Sequence, residues 1–572
     1  MTYNKKKLAV TIAMLAGVTM GLTGCDNNSS SSSAPASAAA DANKTDKATP
    51  AKVDPNAKTK NGDVLAATQT LVRSNGDEPA SLDPHKVEGV PESNIIRDLQ
   101  EGIVNLDGNG QVIPGVAESW ENEGFKRWVF HLRKDAKWSN GQPVTADDFV
   151  FSWRRLVDPK TGSPYSSYLE YAQIENVSDV INGKKPPEAL GVKALDPYTL
   201  EVVLSKPVPY FVKMLSHTST KPVNKAVVEQ FGDKWTSPAN YVSNGAYKLK
   251  DWVVNERIVL ERNPQYWDNA NVTIDQVTYL PINDETGVNR YRAGEVDMTY
   301  NTLPIEMFKK LQADIPQEVR VDPYLCSYYY GVNTAKAPFN DVRVRKALSL
   351  AVDRDVIAKQ VMGQGQIPAY MFTPEITNGF DGKNPEWANW TQDQRNQEAA
   401  KLLTEAGFDK SKPLKFTLLY NTSENHKKVA VAITSMWKKN LGVDVALENQ
   451  EWKTFLDNRR LGNYDVTRAG WCADYNDPTA FLNILLSKSS NNDMKYKSAE
   501  FDSTMVKTLE AATDAERAAL YQAAEAIADT DAPLIPLYHY VSTRLVKPYV
   551  GGYSGNNPQD EIYSKDLYIK QH

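Results

Sequence analysis

Cysteine, histidine and long apolar runs are all scarce in this chain. The six histidines, at 85, 131, 217, 426, 539 and 572, are spread over 572 residues. They do not cluster as metal ligands, and no H-E-x-x-H occurs. P-loop and dinucleotide fingerprints are missing, and "GGYSGNN" (551–557) lacks the spacing of a nucleophile elbow. A secreted hydrolase is therefore the remote alternative; the expectation is a protein without catalysis, metal or cofactor. Excess positive charge is missing too: 65 Lys and Arg stand against 71 Asp and Glu, a net −6. That excludes a nucleic-acid partner, which asks for a basic surface. No stretch reaches the ~18 apolar residues of a membrane span.

What is present is a long chain of ordinary globular composition. Hydrophobic residues make up 41% and charged residues 24%, and 572 residues are too many for one core, so two or three domains are expected. There are 28 tyrosines and 12 tryptophans. Such side chains have a flat apolar body and a polar tip, and they suit the lining of a wet cleft.

The N-terminus reads as an address. Lys5, Lys6 and Lys7 precede an apolar stretch from Leu8 to Leu22 and then small residues, the pattern of a secretory signal peptide over 1–24. Leu22-Thr23-Gly24-Cys25 resembles the bacterial lipobox, so Cys25 is the expected lipidation site. Asp26 after it implies retention at the inner membrane, facing the periplasm. Residues 25–67 are rich in Ser, Ala, Lys and Pro, an expected disordered tether. About 40 such residues span roughly 35 Å. With Cys25 assigned, Cys326 and Cys472 remain, and in an oxidising compartment their simplest use is a disulfide. The alternative is a thiol nucleophile at Cys472.

Strand-like and helical patterns alternate. "TLVRS" (70–74), "RWVFHLR" (127–133), "TLEVVLS" (199–205), "RIVLER" (257–262), "LKFTLLY" (414–420) and "DVALEN" (444–449) are rich in β-branched and aromatic residues. Helices are expected over 145–158, where Thr145 and Asp148 suggest a capping box, over 340–362, and over 394–408 with a stop at Gly407. The class is α/β or α+β with mixed sheets.

The segment "RAGWCADYNDP" (468–478) packs an arginine, a tryptophan, a cysteine and two aspartates together. With "SLDPHKVEGVPESN", "GVAESWENEGFKRWVFHLRKDAKWSNGQPVTADDFVFSW", "NGAYKLKDWVVNERIVLERNPQYW" and "APFNDVRVRKALSLAVDR", it resembles the oligopeptide-binding branch of the extracellular solute-binding family that serves peptide and nickel ABC transporters. The resemblance runs from about residue 68 to the C-terminus; the lipobox and tether depart from it. It implies a two-lobed periplasmic binding protein fold of type II, with three domains and a hinge. Domain I would comprise 68–100, 225–325 and 541–572, domain II 101–224 and domain III 326–540, with crossings near 325 and 540. The implied partners are short peptides of roughly two to five residues, plus the permease and ATPase subunits of an ABC importer. The implied molecule is a monomer, lipid-anchored by Cys25.

The resemblance also implies roles. A receptor for many peptides can rely only on the shared backbone, the ammonium and the carboxylate. Asp474 resembles the ammonium anchor, since a walled-off charge needs a partner; the plainer reading is a turn or cap aspartate. The stretch from Ala469 through Gly470, Trp471 and Cys472 to Ala473 would pair with the peptide backbone. Arg468 would meet a carboxylate, or else sit in a structural ion pair. Trp471 and Trp452 resemble pocket walls, or else core residues. Tyr165 resembles a second contact at the ammonium end, and Glu88, Gly89 and Val90 resemble an edge that pairs with the peptide. His426, Arg459, Tyr300 and Asn301 resemble cleft residues. Gly331, Met362 and Thr302 depart from the family pattern, which has an acidic, a basic and an amide residue there. Within the same class, murein tripeptide, a dipeptide or haem is the alternative ligand.

Overall fold

The computed structural model describes Thr59 and residues 62–572. The expected signal peptide, Cys25 and most of the expected tether lie outside the described residues. The last part of that tether is corrected by the structure. Leu65 bridges Lys570, Gln571 N donates to Val64 O, and Ala66 N donates to Ile569 O. The folded body therefore begins by Val64, because the C-terminal segment offers these residues backbone partners.

Three sheets organise the chain. The first is four-stranded, ordered 70–74, 276–280, 257–262, 247–253, its first pair parallel and the rest antiparallel. The second is antiparallel, ordered 117–123, 127–132, 199–203, 192–196. The third has six strands, ordered 367–368, 534–545, 319–332, 466–472, 415–421, 444–450. Its first three pairings are antiparallel and its last two parallel. Sheets with helices packed against them in separate cores make this an α/β protein.

Two long strands, Val319–Val332 and Leu534–Leu545, run from one core into another. Val319 and Leu545 pack with Leu280 and Phe308, whereas Tyr328, Tyr330, Ile535 and Leu537 belong to the core of the six-stranded sheet. Between these ends the ladder breaks: Pro323 faces Val541, and pairing resumes at Ser327 and His539. Proline has no N–H for the ladder. Leu325 N turns instead to Pro558 O.

Local chemistry explains most elements. Helix Ala146–Val157 opens with the expected Thr145–Asp148 capping box, and Gln392–Glu405 opens with Thr391 and Gln394 in the same arrangement. The helix expected over 340–362 is instead broken. It runs Val342–Leu350, and the chain then winds as a π-helical segment over Val356–Met362. The reason is Arg354, which is fully buried. Its Nε donates to Ala369 O and Pro536 O and its Nη1 to Ser349 O, so the turn is set by carbonyls that a straight helix would not present.

Candidate functional site

A cavity of about 530 Å³, within the usual range for ligand sites, lies among these elements. It is lined by fifteen of the sixteen residues given binding roles above, from Glu88 to Asp474; Ala469 is instead buried in a hydrophobic core. The sequence segments around 76–97, 283–307, 421–428, 452–474 and 538–561 converge there. Gly331 does not line it. A side chain there would meet Thr467 and Met494, so the expectation of a lost pocket charge at 331 is corrected: that face of the strand points into the core. Met362 and Thr302 do line the cavity.

Strand Val466–Cys472 forms the spine of the site, paired with Val319–Val332. Side chains alternate along it, so Arg468, Gly470 and Cys472 share a face, and Asp474 continues the parity just past its end. Arg468 and Asp474 are about 20 Å apart along the chain at ~3.3 Å per residue. Cys472 lies opposite Cys326 and is disulfide-bonded to it. The bond braces the end of the strand beside Asp474. Gly470 leaves room that a β-carbon would take: it would stand 3.2 Å from Arg468 Nη2 and 3.2 Å from Tyr540 Oη. Trp471 Nε1 donates to Ala480 O at 2.7 Å, and its ring stacks at 6.4 Å on Tyr165.

Asp474 lies in the bend that follows the strand, but the backbone bond typical of a cap goes to Asp477, which accepts from Thr479 N. Tyr165 Oη donates to Asp474 Oδ1 at 3.2 Å, and His217 Nε2 lies 3.2 Å from the same oxygen. His217 Nδ1 accepts from Ser219 N, which leaves the proton on Nε2. Although this is ion-pair distance, burial holds the His217 pKa down to about 3. The contact is therefore a hydrogen bond from a neutral donor, not a salt bridge. Tyr165 and Tyr168 hold the imidazole at 4.8 Å on either count. Burial pushes the Asp474 carboxyl well above the usual carboxylate range. Two neutral donors thus orient a buried carboxyl group that has no charged partner within ion-pair distance among the described residues, so burial disfavours its ionised form until a cation arrives. No motif marks His217 in "LSHTST"; only the fold brings it here.

Arg468 is buried and its partners are neutral. Nη1 donates to Asn421 Oδ1 at 3.1 Å, Nη2 donates to Tyr540 Oη at 2.7 Å, and Nε has no partner. The structural ion pair held open for Arg468 in the sequence is absent among the described residues. His426 lies near it, and burial together with the Arg468 charge holds that imidazole well below its ordinary pKa. His426 is thus a neutral group at the cationic end.

Arg459 faces the cavity but is engaged by two carboxylates, Asp493 at 2.8 Å and Glu88 at 3.7 Å. Glu88 also lies 3.8 Å from Arg460. The expected edge at Glu88, Gly89 and Val90 is the start of helix Val90–Leu99, not a strand, and Gly89 O already accepts from Ser93 N. A β-carbon at Gly89 would stand 2.1 Å from Glu92 Oε2 and 3.1 Å from Trp452, so glycine permits this close approach. Trp452 stacks on Phe455 at 6.0 Å behind that wall. Asn301 is spent on Tyr324 Oη and Asp560 Oδ2, each at 3.0 Å. Tyr300 lies against Gly76, where an added β-carbon would meet its ring at 3.0 Å.

The profile of the bacterial extracellular solute-binding proteins, family 5 (middle), matches residues 111–493. The chain is 64% identical over 509 residues to the periplasmic oligopeptide-binding protein OppA of Salmonella typhimurium, covering 89% of this chain and 94% of that one. The crystal structure of Haemophilus influenzae OppA in complex with RPPGFSPFR is 53% identical, with a TM-score of 0.87 over 89% of this chain and 100% of the other. The unliganded open form of the murein tripeptide-binding protein MppA, 48% identical over 89% and 99%, superposes at only 0.64. The lobes are therefore disposed as in the peptide complex and unlike the open form.

Proposed function

We infer the function from membership and geometry together: this chain belongs to the bacterial extracellular solute-binding proteins of family 5. It is the substrate-binding component of an oligopeptide ABC importer, works in the periplasm and binds peptides. The observation that carries the mechanism is the Asp474 carboxyl, buried, oriented by two neutral donors and lacking a cation. An α-amino group, with a reference pKa of about 7.7–8.0, is mostly charged near neutrality and supplies that cation. Arg468, which lines the cavity and has only neutral hydrogen-bond partners, suits the peptide carboxylate. Strand Val466–Cys472 supplies main-chain partners for an extended guest without reading its side chains.

The finer reading is that peptides of roughly two to five residues lie between the two ends of this strand, and that they are released unchanged. The hinge is assigned to the ladder break near residues 325 and 540. Domain I is assigned to 64–100, 225–325 and 541–572, domain II to 101–224 and domain III to 326–540. Closure gives the permease two states to distinguish. A monomer tethered to the inner membrane through lipidated Cys25 completes the assignment; Cys25→Ser would release the protein to the soluble periplasmic fraction. Mass spectrometry of ligands co-purified from the native source tests the whole: a mixture of short peptides supports it, and one dominant muropeptide replaces it with murein-peptide binding.

A further inference from the structure

Two serine-rich loops meet outside the cavity. One is "SPYSS" (163–167), which leads into the short helix Tyr168–Tyr171; the other is "SKSSNN" (487–492), which follows the helical turns Thr479–Leu482 and Asn483–Leu485. A reciprocal set of hydrogen bonds joins them. Ser490 N donates to Ser167 Oγ at 2.9 Å, and Ser167 N donates to Ser490 Oγ at 3.4 Å. Ser490 Oγ in turn donates to Pro164 O at 2.7 Å, and Asn491 Nδ2 donates to the same carbonyl at 3.4 Å. The Tyr171 and Ser489 hydroxyls share a further bond. A serine hydroxyl has one proton and two lone pairs, so Ser490 fills both of its roles at once.

The seam differs from a core contact in composition and in place. Every partner in these bonds is neutral. The exposed ion pair Lys206–Glu510, at 2.9 Å, joins the same two parts of the chain, but a surface pair contributes little. Ser167 is buried, whereas Ser489 and Ser490 are half-buried and Lys488 is exposed. Water therefore reaches the rim and can take over each bond when the loops part. None of Pro164, Ser167, Ser489, Ser490 and Asn491 lines the cavity, so the seam touches no guest. Enclosed between Pro164 and Ser167 is Tyr165, which does line it and donates to Asp474. Beside the seam, Tyr168 and Tyr210 pack on Tyr475 at 6.2 and 5.7 Å. The rings supply contact area, and the directional serine bonds fix the register in which the two loops meet.

Resting on the peptide-receptor reading, in which 101–224 and 326–540 belong to different domains, we propose that Ser167 and Ser490 form a clasp that holds those domains together beside the Asp474 end and sets the residence time of bound peptides of any sequence. Apparent affinity scales with the fraction of protein in the binding-competent state. Loss of the clasp lowers that fraction by one factor for every guest, because the clasp consists of protein groups alone. Its contribution is also insensitive to salt, unlike a contact between charges.

The test measures peptide dissociation from the full chain by stopped-flow tryptophan fluorescence, with tri-alanine, tetra-alanine and tri-lysine. Ser490→Ala and Ser167→Ala should each raise the dissociation rate about three- to tenfold, the worth of one or two neutral hydrogen bonds. The factor should be the same for all three peptides and at low and high salt. The double variant should be little faster than either single one, since both substitutions break the same pair. The unfolding midpoint of the peptide-free protein should stay at the wild-type value in at least one of the single variants, which lie on different loops. Wild-type dissociation rates in both single variants overturn the clasp, as does a factor that depends on the peptide. A midpoint that falls in every variant in step with the rates also overturns it, by making the serines part of the fold. Failure of all three peptides to bind the wild type would instead remove the peptide-receptor reading beneath it.

Discussion

His217 Nε2 stands 3.2 Å from Asp474 Oδ1, and it donates a proton there without bringing a charge. The imidazole is held neutral by burial and fixed in tautomer by Ser219 N. Asp474 is thus positioned by its neighbours, while burial disfavours its ionised form until a cation arrives. Asp474→Ala should weaken binding of free-amine tripeptides by more than ~2 kcal/mol, some thirtyfold, in isothermal titration. The N-acetylated forms, already poor ligands, should hardly change. Equal loss for both would remove Asp474 from the ammonium end.

Glu88 and Arg459 predict a different kind of effect. They join the first part of the chain to the wall of the six-stranded sheet, and both are nearly buried. Arg459→Leu leaves Glu88 and Asp493 without their shared cation, a loss of about 3–5 kcal/mol by the rule for broken buried pairs. Denaturant unfolding should show this as a lower midpoint. Glu88→Gln should raise the dissociation rate of acetylated and free peptides by the same factor, since the pair holds the walls together and touches no peptide terminus.

Glu92 makes the stability pH-dependent. It is fully buried, and burial lifts its pKa from the usual 4.5 to about 7, against hydrogen bonds such as Ala80 N to Oε1 at 2.7 Å. A carboxyl with a raised folded pKa favours the folded state below the unfolded value and loses that contribution as pH rises through the folded value. Between pH 4.5 and 7 this group therefore costs stability progressively, up to about 3 kcal/mol. Glu92→Gln keeps the acceptor for Ala80 and should melt higher than wild type at pH 8, with the gap closing near pH 4.5. A gap independent of pH would mean that the carboxyl does not titrate in this range.

The Cys326–Cys472 bond closes a loop with a sequence separation of 146. Loop-closure entropy for such a length amounts to about 5 kcal/mol, an upper figure. The Cys326→Ala/Cys472→Ala variant should lose several kcal/mol in guanidinium unfolding. It should also bind peptide more weakly, because strand Val466–Cys472 is no longer braced at the end next to Asp474. Unchanged affinity would confine the bond to stability.

Periodicity and capping made much of the fold legible along the chain. Strands 70–74 and 257–262 were readable to the residue, and Thr145–Asp148 marked a helix start, because these signals are local. The helix expected over 340–362 was misjudged because Arg354 takes its partners from Ala369 and Pro536, which no window of sequence contains. The cavity residues were named from a family resemblance. What those side chains do there was less visible: Arg459 proved to be shared between two carboxylates, Asn301 to be committed to Tyr324 and Asp560, and Gly331 to face the core.

Alone, the chain determined its strand alternation, its helix caps, its pair of remaining cysteines and a segment carrying Arg468 and Asp474 on one parity. Those features depend on neighbours within a few residues. The tertiary structure decided the state of charge. His217, Asp474 and Glu92 acquire their character from burial and from partners up to hundreds of residues away, and desolvation is a property of the assembled interior that no local stretch possesses.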